Sequence, residues 1–325
     1  MELTSLEICS GGGGQALGLE MSGFQHLALV EIDAAACATL RLNRPNWDVI
    51  EGDLFEFDAK FHKGVDLLAG GVPCPPFSKA GKQLGANDER DLFPTALRLI
   101  DECQPKAVML ENVRGLLDGM FDDYRAKLND QLKKLGYVAH WRLLQASNFG
   151  VSQLRPRVVL VALRKEIASE FVWPEPNEVP SPTVGVLLHD LMAANGWQGA
   201  DQWQKTANSI APTLVGGSKK HGGPDLGPTR ARAAWSLLGV DGKGIWDEAP
   251  AKDFVGMPRL TTRMAARVQG FPDTWKFAGK KTPTYRQIGN AFPPPVAAAV
   301  SKQIAAALEA NASKLVRTPS ARVAA

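Results

Sequence analysis

Leu6-Glu7-Ile8-Cys9-Ser10-Gly11-Gly12-Gly13-Gly14 runs from an apolar strand into a glycine turn, and Gly18 follows one turn into the next helix. Glycines at a strand-to-helix turn let a ligand approach the backbone, and the start of the helix offers free N–H groups. The stretch therefore has the form of a nucleotide-type cofactor loop. Working outward, strands are expected near 4–9, 27–32, 47–51, 65–70, 107–112, 137–145 and 157–163. Helices are expected near 14–22, 33–43, 91–103 and 122–135. This rhythm predicts an α/β fold with a parallel-rich sheet. From about 165 the pattern breaks into short pieces rich in Pro, Gly and Trp, such as Trp173-Pro174-Glu175-Pro176, which reads as a separate, smaller, loop-rich lobe. Regularity returns at Thr261–Gln269 and in an Ala-rich run from about Pro295 to Ala312, expected to pack back on the first domain, while 313–325 reads as a flexible tail.

Two acids extend the cofactor reading. Glu31, in Val30-Glu31-Ile32-Asp33, is placed at the end of the second strand to accept hydrogen bonds from a ribose diol. Asp53, in Gly52-Asp53 after the third strand, is placed to accept from an adenine amino group. The alternative for each is that it caps the helix that follows.

Composition narrows the classes. With 325 residues, 45% hydrophobic and 22% charged, the chain is an ordinary globular protein large enough for one sizeable core and a smaller lobe. It carries no apolar run of membrane-spanning length and no basic-then-apolar leader, so a cytoplasmic protein is expected. Cys9, Cys37, Cys74 and Cys103 form no CxxC pair and the five histidines are scattered, which argues against a disulfide framework and against zinc. The net charge of +3 is unevenly spread. Residues 1–163 carry 17 Lys and Arg against 21 Asp and Glu, whereas 164–325 carry 20 against 13. A basic C-terminal half points to a polyanion handled there.

Three further clusters carry chemistry. Gly70-Gly71-Val72-Pro73-Cys74-Pro75-Pro76-Phe77-Ser78 follows an apolar run, and its prolines leave Cys74 few backbone options, so the thiol is held as a fixed nucleophile rather than as a core cysteine. Glu111 and Asn112 end the run Met109-Leu110-Glu111-Asn112-Val113, which is too apolar for a surface strand. Burying them without partners would cost several kcal/mol, so they point into a site or are paired. A carboxylate kept protonated by such surroundings is able to donate to a ring nitrogen. In Gln153-Leu154-Arg155-Pro156-Arg157, alternation places Gln153, Arg155 and Arg157 on one face, where they would steady an anionic ring, lower a thiol pKa or pair with surface acids.

Together with Asp91-Leu92-Phe93, Arg263-x-x-x-Arg267-Val268-Gln269-Gly270-Phe271-Pro272 and Tyr285-Arg286-Gln287-Ile288-Gly289-Asn290-Ala291-Phe292-Pro293-Pro294-Pro295-Val296-Ala297, these stretches give the chain a strong resemblance to the cytosine-C5 DNA methyltransferase family over nearly its whole length. The resemblance implies a Rossmann-like methyltransferase sheet formed by 1–165 with 283–312, and a target-recognition domain over 166–282, with its core at about 166–258. It implies methyl transfer from S-adenosylmethionine, leaving S-adenosyl-L-homocysteine, to cytosine C5 in duplex DNA. Cys74 would attack C6 and Glu111 would hold N3. Arg155 would contact the base oxygen, with Arg157 bracing Glu111, and Asn112 would orient the Pro73-Cys74 backbone.

The same resemblance assigns cofactor contacts to Ile8, Cys9, Ser10, Gly11, Gly13 and Gly14 on the first loop and to Glu31, Ile32, Asp53 and Leu54 on the next two strand ends. Pro73, Leu92, Asn290 and Ala291 complete that set. DNA contacts fall on Ser78 and, in the basic lobe, on Lys219, Lys220, His221, Arg230 and Arg232. The chain departs from the family pattern at Glu7, Cys9, Met264 and Phe292; Cys9 stands where an aromatic wall is usual, with Phe292 or Phe77 expected to fill the gap. A monomer is expected; the chain shows no endonuclease motif, so a cognate restriction endonuclease would act as a separate protein, and a solitary methyltransferase stays open beside the restriction–modification type. The rival reading within the family is a transfer-RNA methyltransferase. A nicotinamide oxidoreductase would explain Gly11–Gly14 and Glu31 but leave Cys74, Glu111 and Arg155 idle.

Overall fold

The computed structural model describes residues 2–72, 91–216 and 223–317, with side chains to 314. Strands β1 (Leu3–Ile8), β2 (Phe24–Glu31), β3 (Val49–Glu51), β4 (Leu67–Gly71) and β5 (Ala107–Val113) pair in parallel in the spatial order β3-β2-β1-β4-β5. Strand β6 (Tyr137–Gln145) and, after the short β7 (Gln153–Leu154), β8 (Pro156–Arg164) extend the sheet as β5-β8-β6, both pairings antiparallel. Helices α1 (Gly14–Met21), α2 (Ala34–Asn43), α3 (Phe93–Cys103) and α4 (Asp122–Lys134) alternate with the strands. The expected α/β rhythm is thus the observed one.

Strand periodicity sorts the apolar side chains onto two faces, as it must in a sheet covered on both sides. Val108, Leu110, Leu160 and Ala162 face the core shared with Phe93, Leu99, Leu128 and Leu132 of α3 and α4. Their sequence neighbours Ala107, Met109, Val159, Val161 and Leu163 face the opposite core.

Beyond β8 come α5 (Lys165–Ala168), α6 (Val184–Met192), α7 (Ala200–Thr206), β9 (Ala211–Pro212), α8 (Thr229–Ser236), α9 (Thr262–Val268), α10 (Lys281–Asn290) and α11 (Pro294–Arg317). Helix α11 returns to the sheet, where Val296, Val300, Ile304 and Leu308 join Leu19 of α1 and Met109 of β5 in one core. It continues to Arg317, past the Ala312 end expected from sequence. The core of the C-terminal lobe is continuous with the first part of the chain. Trp203, Trp235, Met264, Phe271, Trp275 and Ile288 share a cluster with Ala16, Leu17, Cys37 and Leu40, so the lobe rests directly on α1 and α2. No helix among the described residues is long and apolar enough to cross a membrane.

Candidate active site

The C-terminal ends of the parallel strands carry the cofactor candidates. Gly11 N–H donates to Glu31 Oε2 at 2.7 Å, and Glu31 Oε1 accepts from the N–H groups of Ile32 (2.9 Å) and Asp33 (2.8 Å). Glu31 therefore ties the glycine turn to the end of β2. Capping of α2 falls to Asp33, whose Oδ1 accepts from Ala35 N and Ala36 N. Next to it, Val30, Ile50, Gly52, Asp53 and Phe57 line a cavity of about 330 Å³, and Phe55 N–H fixes Asp53 through Oδ1 at 3.0 Å. The apolar walls, with the carboxylates of Asp53, Glu56 and Asp58 among the lining residues, suit a flat, amine-bearing ring. Ile32 stands 66% exposed at the end of β2, while Ile8 and Leu54 are buried and support the strand ends from within. Ser10 is buried with its N–H on Val30 O at 3.2 Å, and Leu92 forms the half-buried start of α3.

The underside of the glycine turn is held by the C-terminal lobe. Gly13 has φ +86°, and a Cβ there would lie 2.6 Å from the Trp275 ring, so only glycine fits both the backbone and the contact. Ala291 packs against Gly14, while Asn290 lies against Gly216 on the lobe side. Cys9 adopts φ +53°, an uncommon conformation for a residue with a side chain. Burial first, and then Glu31, Glu7 and Asp53, push its thiol well above the ordinary range, so it stays neutral. Phe292 does not fill the space beside Cys9. Its side chain packs with Leu19, Val296 and Ala297 under α11, whereas Cys9 packs with the core on the other face of the sheet. Phe77 lies outside the described residues, as do Pro73, Cys74 and Ser78.

The reactive end is built on β5 and β8. In their antiparallel register Val113 faces Arg157 and Glu111 faces Val159, which puts Glu111 and Arg157 diagonally on one face. Arg157 Nε lies 2.6 Å from Glu111 Oε1, with only 13% and 10% of the two side chains exposed. Burial pushes the Glu111 carboxyl above its usual range, against the pull of Arg157 and, less strongly, Arg155. Glu111 also lies opposite Gly71 in the β4–β5 register. Its neighbour Asn112 donates from Nδ2 to Val72 O at 3.0 Å and accepts Val113 N–H at 2.8 Å. Two residues before Cys74, the chain is thus anchored to the strand that carries Glu111.

Arg155 requires a correction. It is 0% exposed, Nη1 donates to Leu214 O at 2.9 Å, and Nη2 donates to Gly289 O at 2.9 Å and Ala291 O at 3.0 Å. A guanidinium enclosed in this way presents no face to a base, so the arginine that shares the site with Glu111 is Arg157. Sequence alternation treats the two as neighbours on one continuous strand; Arg155 instead stands between β7 and β8, and the carbonyls of Leu214, Gly289 and Ala291 enclose it.

Among the lobe candidates, Lys219, Lys220 and His221 lie outside the described residues. Arg230 is exposed on α8, and the stem of Arg232 packs on Gly242. Residues missed from sequence include Trp275, whose indole reaches Gly12 O, and Thr39 with Asn43 of α2. Thr39 Oγ1 accepts from Ala278 N and donates to Gln287, and Asn43 pairs with both backbone groups of Lys276. No local pattern marks them, because each acts across hundreds of residues of chain.

Comparison with known proteins agrees with this geometry. The family described as C-5 cytosine-specific DNA methylase matches residues 3–306. The chain is 58% identical over 318 residues to the type II methyltransferase M.NgoMIV of Neisseria gonorrhoeae, covering 95% of this chain and 99% of that one. It is 59% identical over 312 residues to the type II methyltransferase M.NaeI of Lentzea aerocolonigenes, covering 94% and 75%. The crystal structure of Spodoptera frugiperda DNMT2 shares the fold, with a TM-score of 0.64 at 17% identity over 93% of this chain and 99% of that one. A matched sheet, a glycine turn tied to Glu31, and a buried carboxylate–guanidinium pair beside the Val72 anchor all lie within the matched span, and the chain belongs to the C-5 cytosine-specific DNA methylase family.

Proposed function

We propose that this enzyme methylates C5 of one cytosine within a short duplex-DNA site, flipping the base out of the helix and adding Cys74 covalently to C6. The observation that carries the reading is the buried Glu111–Arg157 pair set beside the Asn112 anchor on Val72. Cytosine C5 is a poor nucleophile in its aromatic ring. Addition of the Cys74 thiolate to C6 turns C5 into an enamine-type carbon, and loss of the C5 proton later expels the thiolate. Glu111, whose carboxyl burial pushes above its usual range, delivers a proton to N3 so that the electrons pushed into the ring are accommodated. Arg157 holds that carboxyl in place and offers positive charge to the base. Because C6 is shielded in a stacked duplex, extrusion costs a few kcal/mol, drawn from protein–DNA contacts.

The glycine turn, Glu31 and the cavity at Asp53 fit an adenosyl group, with Gly11 facing open space and Ile32 exposed at the rim. When bound, S-adenosylmethionine supplies an electrophilic sulfonium methyl group. Residues of about 166–258 choose the sequence, with Arg230, Arg232, Lys219, Lys220 and His221 offering cation and imidazole contacts to phosphates and the major groove. The type II naming of the relatives supports a restriction–modification role with a separately encoded endonuclease.

The test is bisulfite mapping of DNA from cells expressing the chain, with Cys74→Ala as the control. The reading expects one short methylated consensus with the wild type and none with the variant, which should retain duplex binding. Methyl transfer to transfer RNA but not to duplex DNA would overturn it.

A further inference from the structure

A closed ring of buried hydrogen bonds links the reactive strand to the recognition lobe. Leu214 N–H donates to Gln153 Oε1 at 2.8 Å, and Leu214 O accepts from Arg155 Nη1 at 2.9 Å. Arg155 Nη2 donates to Ala291 O at 3.0 Å, and Gln269 Nε2 donates to the same oxygen at 2.5 Å. Gln153 Nε2 closes the ring on Gln269 Oε1 at 2.7 Å. Gln153, Arg155 and Gln269 are each 0% exposed.

Burying a guanidinium against neutral carbonyls is a poor way to gain stability, since well-packed apolar side chains serve as well or better. Here the cation caps the C-terminal turn of α10, where carbonyls lack helical partners and the helix dipole is negative. What the arrangement supplies is a unique register. Both backbone groups of Leu214 are gripped, and Gly216 crosses α10 so closely that a Cβ on Gly289 would lie 2.5 Å from its backbone. Leu214 and Gly216 belong to the C-terminal lobe, and Arg155 stands two residues before Arg157.

We propose that the Gln153–Arg155–Gln269 ring is a positioning device that couples the C-terminal lobe, gripped at Leu214, to the Arg157–Glu111 pair, so that target discrimination and rate share one rigid joint. Arg155 is then a positioning residue that acts through Leu214 and the backbone of β8. The inference rests on the DNA-methylating reading above.

The test uses the full chain carrying Gln269→Leu, Gln153→Glu or Arg155→Lys, with Ile304→Val in the α11 core as a destabilised control. Gln269→Leu and Gln153→Glu leave Arg155 capping α10, so the fold survives in at least these two. For each, kcat/KM on duplex DNA, affinity for S-adenosyl-L-homocysteine by calorimetry, and the methylated consensus by bisulfite sequencing are measured. The ring variants should lose about tenfold or more in kcat/KM on DNA, as small displacements at a reacting centre do. They should also methylate sites one base away from the consensus, while cofactor-product affinity stays within about twofold. Wild-type discrimination in folded ring variants, or a rate loss no larger than that of Ile304→Val, overturns the inference alone. A wild-type chain that leaves duplex DNA unmethylated overturns the parent reading and the inference with it.

Discussion

The indole N–H of Trp275 donates to the carbonyl oxygen of Gly12 at 3.1 Å, closing the underside of the glycine turn with a side chain from far along the chain. Trp275→Phe keeps most of the packing with Phe271 and Trp47 but leaves that carbonyl without its donor. One hydrogen bond of about 1 kcal/mol corresponds to a rise in KM for S-adenosylmethionine of about three- to tenfold. Steady-state methyl transfer should show this rise with kcat and the KM for DNA essentially unchanged.

The Glu111–Arg157 pair makes two separable predictions. Arg157→Met strands a buried carboxylate and should destabilise the fold by about 3 kcal/mol in urea titration, with part of the loss recovered in the Glu111→Gln/Arg157→Met double variant. Glu111→Gln alone removes the proton donor and should lower kcat by about 10²- to 10⁴-fold while duplex affinity by gel shift is retained.

Asn112→Asp keeps an acceptor for Val113 N–H but has no donor for Val72 O. With the start of the Cys74 segment released from β5, single-turnover methyl transfer should slow by about 10- to 100-fold. An unchanged single-turnover rate would show that the Val72 anchor is dispensable.

His26 sets a pH limit on stability. Its ring bridges Ser5 Oγ (2.9 Å) and Ala16 O (3.0 Å) and stands edge-on to Trp47, an arrangement that suits the neutral form. Burial pulls its pKa from 6.5 down to about 4. The unfolded chain therefore takes up this proton first, and the stability linked to His26 is complete above pH 6.5 and lost as pH falls toward 4. Thermal midpoints measured from pH 7 to pH 4 should fall more steeply in the wild type than in His26→Asn.

The alternation of strands and helices, the glycine turn and the order of the motifs were legible because each depends on neighbours in sequence: period two along a strand, a helix start after glycine, proline around a thiol. That local record placed Glu111 and Arg157 on neighbouring elements and gave the family. It misassigned Arg155 and Phe292. At both positions the outcome turns on which distant groups arrive: the carbonyls of Leu214, Gly289 and Ala291 around Arg155, and the α11 core around Phe292. The seat of the glycine turn on Trp275, the shared core of the lobe with α1 and α2, and the ring through Gln269 were likewise decided only in three dimensions. By itself the sequence determined the sheet and the family, because propensity and motif spacing are short-range. Tertiary structure decided which arginine pairs with Glu111 and how the lobe is joined to that strand, because burial and hydrogen-bond satisfaction are settled by segments that meet only after the chain has folded.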